Sequence, residues 1–350
     1  MSALRVAVIG AGAFGRNHLR VYRELELAHP ELVQLAALVE PDTERRAAFA
    51  STYNIPTFAT LPELFAANLP LDAASICVPT VHHASVAKQL LLAGLDVLIE
   101  KPFAATLAQA DRVIDLAQTH SRIVAIGHLE RFNPAVTATI AALNQPMFFE
   151  SHRLSVFTPR SLDVDVVLDL MIHDLDIVLS LTNSPVSEVR AVGLPILSPK
   201  TDIANVRVEF ESGCVANFTA SRVSTEQVRK LRLFQPHQYL SLDFARQELL
   251  IISVDPAVVA AAITAAATQP PPANNHPLPT EAAHPTAGLS LTKFDIPKGE
   301  PLRLELEDFL HAVRSRTQPR VPAQAGREAL ALALAINDQI AAHAHRAGLL

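Results

Sequence analysis

Five short apolar runs, Leu4 to Gly10, Leu32 to Glu40, Ala73 to Pro79, Leu95 to Glu100 and Ile123 to Gly127, alternate with segments of helical length over the first third of the chain. Strands joined by helices cross over in the right-handed sense and pair in the same direction, so the alternation predicts a parallel sheet with helices on its faces. The helices are predicted at Phe14 to Ala28, Asp42 to Tyr53, His83 to Ala93 and Leu107 to Thr119, the second begun by Asp42 as an acidic cap. Open sheets of this kind bind ligands beyond the carboxyl ends of their strands.

Two of those ends carry chemistry. The first strand runs into Gly10-Ala11-Gly12-Ala13-Phe14-Gly15. Gly10 permits a tight turn, Gly12 lets the backbone approach a pyrophosphate, and Gly15 lets the following helix pack closely on the strand. The helix then presents free N–H groups to the phosphates. Gly10, Gly12, Ala13, Phe14 and Gly15 are therefore candidate dinucleotide contacts. Glu40 ends the next strand, where an acid accepts hydrogen bonds from a ribose diol and repels a 2′-phosphate. NAD is expected in preference to NADP, with Arg45 and Arg46 close enough to soften the preference. The second end is Glu100-Lys101-Pro102, which puts an ammonium beside the expected cofactor.

At 350 residues the chain is long for one core, and two domains are expected. After about Pro146 the pattern changes to strands with one wet face. Val206, Val208 and Phe210 alternate with Arg207, Glu209 and Glu211, Ser212-Gly213 turns the chain, and further strands are predicted at Arg229 to Phe234, Tyr239 to Phe244 and Gln247 to Ser253. The fold class is α/β: a Rossmann domain over residues 1–130, then an α+β domain over 131–350 with a large open antiparallel sheet. Such a sheet leaves one face to cover, which predicts a homo-oligomer. Residues 254–300, rich in Ala and Pro, are expected to form a mobile insert without strand or catalytic content, and two helices, Leu304 to Arg314 and Arg327 to His345, close the chain.

The net charge of −6 gives no reason to expect nucleic acid as a partner. No apolar run reaches the roughly 20 residues that span a bilayer, and the opening residues lack a secretory pattern, so no membrane partner and a cytoplasmic address are expected. Cys77 and Cys214 sit in apolar contexts and read as small buried residues.

A third chemical element is Asp169-x-x-x-His173. Over Val166 to Leu179, Leu168, Ile172, Leu175 and Leu179 form an apolar stripe, while Asp169, His173 and Asp176 share another face, which calls for water or a cleft. His128, His152, His173, Asp169 and Asp176 match no compact zinc spacing, and no metal is expected. His18, His82 and the C-terminal histidines read as surface or capping residues.

Val78-Pro79-Thr80-Val81-His82-His83, Glu100-Lys101-Pro102 and Asp169-x-x-x-His173 together resemble the Gfo/Idh/MocA oxidoreductases, from Leu4 to about Phe244 and again from Pro301 onward. The resemblance implies an NAD(P)-dependent dehydrogenase acting on a secondary hydroxyl, with Lys101, Asp169 and His173 as the catalytic set, Lys101 and Glu100 at the cofactor, and Pro79, Thr80 and His83 beside the nicotinamide ribose. His173 suits proton acceptance near neutrality, and an ammonium at Lys101 suits an oxyanion. Which of the two is the base stays open. The segments from His128 to Pro134 and from Asp165 to Asp176 resemble the branch that oxidises UDP-N-acetylglucosamine-type sugars at C3. Arg131, Arg153 and Arg160 are then candidates for the diphosphate, with Asn133 beside them in the substrate site. A free sugar or inositol is the alternative substrate, and a non-catalytic NAD(P)-binding sensor the alternative class.

Overall fold

The computed structural model describes residues 2–157, 164–258, 260, 261, 264 and 288–348. Its first sheet has six parallel strands, β1 (Leu4–Ile9), β2 (Val33–Val39), β3 (Thr57–Phe58), β4 (Ala73–Ile76), β5 (Asp96–Glu100) and β6 (Val124–Gly127). They lie in the order β3-β2-β1-β4-β5-β6, the doubly wound arrangement in which the chain changes direction beside β1. Helices α1 (Gly15–Ala28), α2 (Thr43–Tyr53), α3 (Leu61–Ala66), α4 (Thr80–Leu92) and α5 (Leu107–Thr119) make the crossovers. Asp42, Thr60 and Thr106 accept from the first-turn amides of α2, α3 and α5, which sets where each begins. Because helices cover both faces, Val6, Ala7, Val8 and Ile9 are all buried, and β1 reads as a continuous apolar run. At two residues β3 is too short to show a period, and neither it nor α3 stands out in the sequence.

The chain leaves this sheet through α6 (Pro134–Ile140), capped by Asn133. It then builds a second sheet from β7 (Phe148–Val156), β8 (Val186–Leu194), β9 (Ile203–Phe210), β10 (Val215–Ser224), β11 (Val228–Gln235), β12 (Gln238–Asp243), β13 (Glu248–Val254) and β14 (Leu289–Lys293), in the order β14-β13-β12-β11-β7-β10-β9-β8. The sheet is antiparallel except at β7 and β10, which run parallel. Consecutive strands β10 and β11 do not pair with each other; β7 wedges between them, antiparallel to β11 and hence parallel to β10.

The expectation of an insert without strand over 254–300 is corrected at one point. Residues 259, 262, 263 and 265–287 lie outside the described residues, but Leu289–Lys293 form the edge strand β14 against β13. All five of its residues are exposed, so its place rests on backbone pairing that leaves no apolar alternation to read.

One face of the second sheet packs against α7 (Ile172–Thr182) and α9 (Ala323–Arg346), with Phe149, Phe218, Leu231 and Leu240 meeting Leu175, Val178, Ala333 and Ile336. The other face has no covering element among the described residues. Phe148, Phe234 and Tyr239 pack there in tilted contacts at centroid separations of 5.5 and 5.0 Å, and Arg232 pairs with Glu150 at 2.8 Å.

Helix α8 (Pro301–Ser315) returns across the boundary expected near residue 130. Its Leu302, Leu306, Phe309 and Leu310 complete the core that Val6, Val8, Leu19 and Leu25 begin. The same inner face carries Glu305, 2% exposed, with neither carboxylate oxygen partnered. Burial, followed by the charges of Glu100, Asp308 and Asp176, pushes this carboxyl well above its usual range. A folded-state value above the unfolded one means that stability is full below about pH 4.3 and declines as pH rises toward the folded value. Glu305→Gln cannot ionise and is expected to flatten that decline, matching the parent near pH 4 and exceeding it by about 1–3 kcal/mol at mildly alkaline pH. Urea unfolding across pH measures this, and parallel slopes for the two proteins would refute it.

Candidate active site

The carboxyl ends of β1, β4 and β5 open onto one cleft of about 440 Å³, reached also by α7, β7 and β11. Its cofactor side is the glycine loop. Gly10 has φ +92°, and a Cβ there would stand 2.8 Å from the Cys77 carbonyl oxygen. At Gly15 a Cβ would lie 2.0 Å from the Gly10 carbonyl oxygen, so α1 packs onto the loop only through glycine. A Cβ at Gly12 would meet nothing within 4 Å, and the α1 N-terminus has no side-chain cap. Open space in front of uncapped amides fits a dinucleotide pyrophosphate.

Glu40 is 3% exposed and accepts from the amides of Ala11 at 2.8 Å and Asp42 at 3.0 Å. It therefore braces the glycine loop from the end of β2, with Arg45 Nη1 3.5 Å from the same carboxylate. Glu40→Ser removes the charge that repels a 2′-phosphate and leaves Arg45 without this partner. The preference for NAD over NADP is expected to narrow, at some cost to NAD affinity through the loosened loop. Titration of both cofactors tests it; tighter binding of NADP by the unmodified protein would overturn the role given to Glu40.

The Glu100-Lys101-Pro102 turn holds several groups in place. Glu100 accepts from His18 Nε2 at 2.8 Å and lies flat on Gly127, where a Cβ would be 2.9 Å from its carboxylate carbon. His18, expected at the surface, is fully buried because it lies on the inward face of α1 with this carboxylate as its partner. His83, expected beside the nicotinamide ribose, is 1% exposed and sits 2.9 Å from both the Val78 and Pro102 carbonyls. Its single N–H donates to one of them, and burial pushes its pKa down. The ring thus braces two strand ends, while Pro79 and Thr80 line the cleft in front of it.

Lys101, Asp169 and His173 come together in the cleft. Lys101 Nζ donates to the Asp169 carbonyl at 2.6 Å and lies 3.6 Å from its carboxylate. Asp169 thereby holds Lys101 through both its backbone carbonyl and its carboxylate. Burial lowers the Lys101 pKa, an effect that Asp169 and Glu100 oppose. His173 is pushed well below the ordinary histidine range by burial, then by Lys101, Arg153, His128 and Arg229. It is neutral at pH 7, and the ionisation near neutrality that an unperturbed histidine suggests moves to lower pH.

A single π-helical turn, Val167–Met171, precedes α7 and presents Asp169. The polar stripe expected along this helix divides. Asp169 and His173 face the cleft, but Asp176 is 1% exposed and takes a two-pronged pairing from Arg131, Nε at 2.7 Å and Nη2 at 3.2 Å. Behind His173 lies His128, fully buried, its ring perpendicular to that of His173 at 6.2 Å and both its nitrogens unpartnered. Among the described residues no group of three or more His, Cys, Asp or Glu is placed to hold a metal ion.

The substrate-binding candidates fare differently. Arg131 is committed to Asp176 and does not line the cleft. Asn133 is likewise withdrawn, its amide donating to Glu130 and the Phe244 carbonyl while its oxygen caps α6. Arg153 lines the cleft but is taken up by Asp174, Nε and Nη2 each at 2.8 Å, and by Glu130 at 3.1 Å. Arg160 lies outside the described residues. Sequence reasoning missed Arg229, which lines the cleft from β11. Its signal was present: Arg229 shares strand parity with the buried Leu231 and Leu233, and a cation on the covered face of a strand calls for a reason.

A family model described as an oxidoreductase family with an NAD-binding Rossmann fold matches residues 4–128, and a Gfo/Idh/MocA C-terminal domain model matches residues 136–235. The chain is 35% identical over 347 residues, 99% of this chain and all of the relative, to a UDP-N-acetylglucosamine 3-dehydrogenase of Acidithiobacillus ferrooxidans. A solved structure of that enzyme superposes with a TM-score of 0.83, covering 98% of this chain and 99% of the other. An inositol 2-dehydrogenase of Leifsonia xyli is 32% identical over 194 residues, 53% of this chain and 56% of the relative.

Proposed function

We propose a function for a chain that belongs to the Gfo/Idh/MocA family of NAD-binding oxidoreductases: oxidation of the C3 hydroxyl of a UDP-N-acetylglucosamine-type nucleotide sugar to a 3-keto sugar. The observation that carries it is the grouping of Lys101, Asp169 and His173 in the cleft that opens from the glycine loop. Full-length similarity to a UDP-N-acetylglucosamine 3-dehydrogenase supports the substrate, while similarity to inositol dehydrogenases covers only about half the chain.

Gly10, Gly12, Ala13, Phe14, Gly15 and Glu40 would hold NAD, with Pro79 and Thr80 alongside. When bound, it supplies the acceptor for the hydride of the carbinol carbon. The remaining work falls to the protein. His173, neutral at pH 7, takes the hydroxyl proton. Lys101 directs its ammonium at the oxygen that becomes anionic as the proton leaves. Asp169 keeps Lys101 in place through its carbonyl and carboxylate. The open face of the second sheet, with its cluster of Phe148, Phe234 and Tyr239, supports self-association, which sedimentation of the purified protein measures. No helix among the described residues is long and apolar enough to cross a membrane.

The test is incubation with NAD and a panel of UDP-N-acetylglucosamine, UDP-glucose, free N-acetylglucosamine and myo-inositol, following NADH and identifying the keto product by mass spectrometry. UDP-N-acetylglucosamine is expected to be oxidised with the highest kcat/KM. Turnover confined to free sugars or inositol would establish the alternative, and NAD binding without turnover of any alcohol would make the protein a sensor.

A further inference from the structure

We propose that Arg229 is the residue that grips the diphosphate of the nucleotide sugar, and that it separates nucleotide-linked from free sugars; the assignment rests on the substrate reading above. Among the described residues three cations line the cleft: Lys101, Arg153 and Arg229. Two are already committed, Lys101 to Asp169 and Arg153 to Asp174 and Glu130. Arg229 has no carboxylate within 4 Å among the described residues. Its neighbour is neutral: in the amide orientation that satisfies both groups, the Gln227 side-chain oxygen accepts from Arg229 Nη2 at 3.0 Å and Nε at 3.3 Å.

A cation set back from water without an anion is costly, and a cleft that retains one is built to receive the anion from a ligand. Burial and the neighbouring Arg153 guanidinium work against the charge on Arg229, Glu130 and Asp174 favour it from beyond ion-pairing distance, and the guanidinium stays protonated under any physiological condition. The position is set by the fold, because Arg229 stands directly opposite Arg153 in the β11–β7 ladder. Arg153 is thus a neutralised wall, and the charge that remains to bind an incoming anion is that of Arg229. Its forked donors match two phosphate oxygens at once. The hydroxyls of a free sugar can accept from the same guanidinium, but they bring no negative charge to pair with it and no matched fork of acceptors. Arg229 lines the same cleft as Lys101 and His173, so the anion it binds and the reacting hydroxyl can belong to one molecule.

The experiment compares the full-length protein with Arg229→Gln and Arg229→Lys. It measures steady-state kinetics on UDP-N-acetylglucosamine and free N-acetylglucosamine, calorimetric binding of UDP and of inorganic pyrophosphate, NAD affinity, and thermal stability. In Arg229→Gln the KM for the nucleotide sugar is expected to rise on the order of 10- to 100-fold, with UDP binding weakened by a similar factor and NAD affinity unchanged. The ratio of kcat/KM for the nucleotide sugar over the free sugar should fall with it. Arg229→Lys, which keeps the charge but loses the fork, should lie between and guards against a folding defect in the other variant. UDP affinity unchanged in a folded Arg229→Gln, while the parent oxidises UDP-N-acetylglucosamine, would overturn this assignment and leave the function standing. A parent that oxidises no nucleotide sugar removes the function; if it also binds neither UDP nor pyrophosphate, the assignment falls with it.

Discussion

Replacing Lys101 by Met or His173 by Ala is expected to lower sugar turnover on the order of 10² or more while NAD affinity stays within about twofold. Both side chains stand at the mouths of strands and a helix rather than in the glycine loop, so the contacts that hold the dinucleotide survive either change. The two losses should not add, because both groups serve one proton transfer. The pH profile of kcat/KM identifies the base. With His173 as base, activity falls as pH drops through its pKa, which burial and four neighbouring cationic or imidazole groups have moved well below the usual histidine value. It falls again at high pH where Lys101 loses its proton, earlier than an ordinary lysine would because burial lowers its pKa. With Lys101 as base instead, activity would climb through the Lys101 value. The apparent values belong to the coupled pair, so the profile is read in the single variants as well as the parent. Near-normal turnover in both variants would remove the chemistry from this cleft and revive the sensor reading.

The largest effect on stability is expected from Arg153. Its guanidinium, 4% exposed, bridges Asp174 and Glu130, 2% and 6% exposed, and stacks over the Phe244 ring at 5.3 Å. Arg153→Met would strand two carboxylates in the interior, and removal of one partner from a buried ion pair costs about 3–5 kcal/mol. Adding Asp174→Asn and Glu130→Gln to that variant discharges the stranded groups and should recover much of the loss, a non-additivity that distinguishes charge from mere packing. Urea unfolding of the parent, Arg153→Met, the Asp174→Asn/Glu130→Gln double variant and the triple variant measures it. A loss below about 1 kcal/mol, or no recovery in the triple variant, would show that the bridge contributes little.

The Arg153 bridge also marks where reading the sequence ran short. Arg131 and Arg153 carry the right chemistry for a diphosphate, but whether an arginine is free depends on what stands within a few ångströms of it. Asp176 lies 45 residues from Arg131 and Asp174 lies 21 from Arg153, separations over which no periodic pattern speaks. His18 was misread for the same reason: its partner Glu100 is 82 residues away. The parallel pairing of β7 with β10 and the return of α8 to the first core are likewise decisions of chain routing.

What the sequence determined by itself was local. Alternation of buried strands with amphipathic helices specified a parallel sheet, since each element must hide its apolar face on the next. The glycine spacing specified a turn that only glycine can make at Gly10 and Gly15, and the residue just after β5, the π-helical turn and the first turn of α7 delivered Lys101, Asp169 and His173, each legible from its own few neighbours. The tertiary structure decided which charges were spent and which were left. Ion pairing acts over a few ångströms, so it is fixed only once distant segments have packed, and that is why Asp169 holds Lys101, why His173 is neutral, and why Arg229 is the guanidinium that faces the cleft without a carboxylate among the described residues.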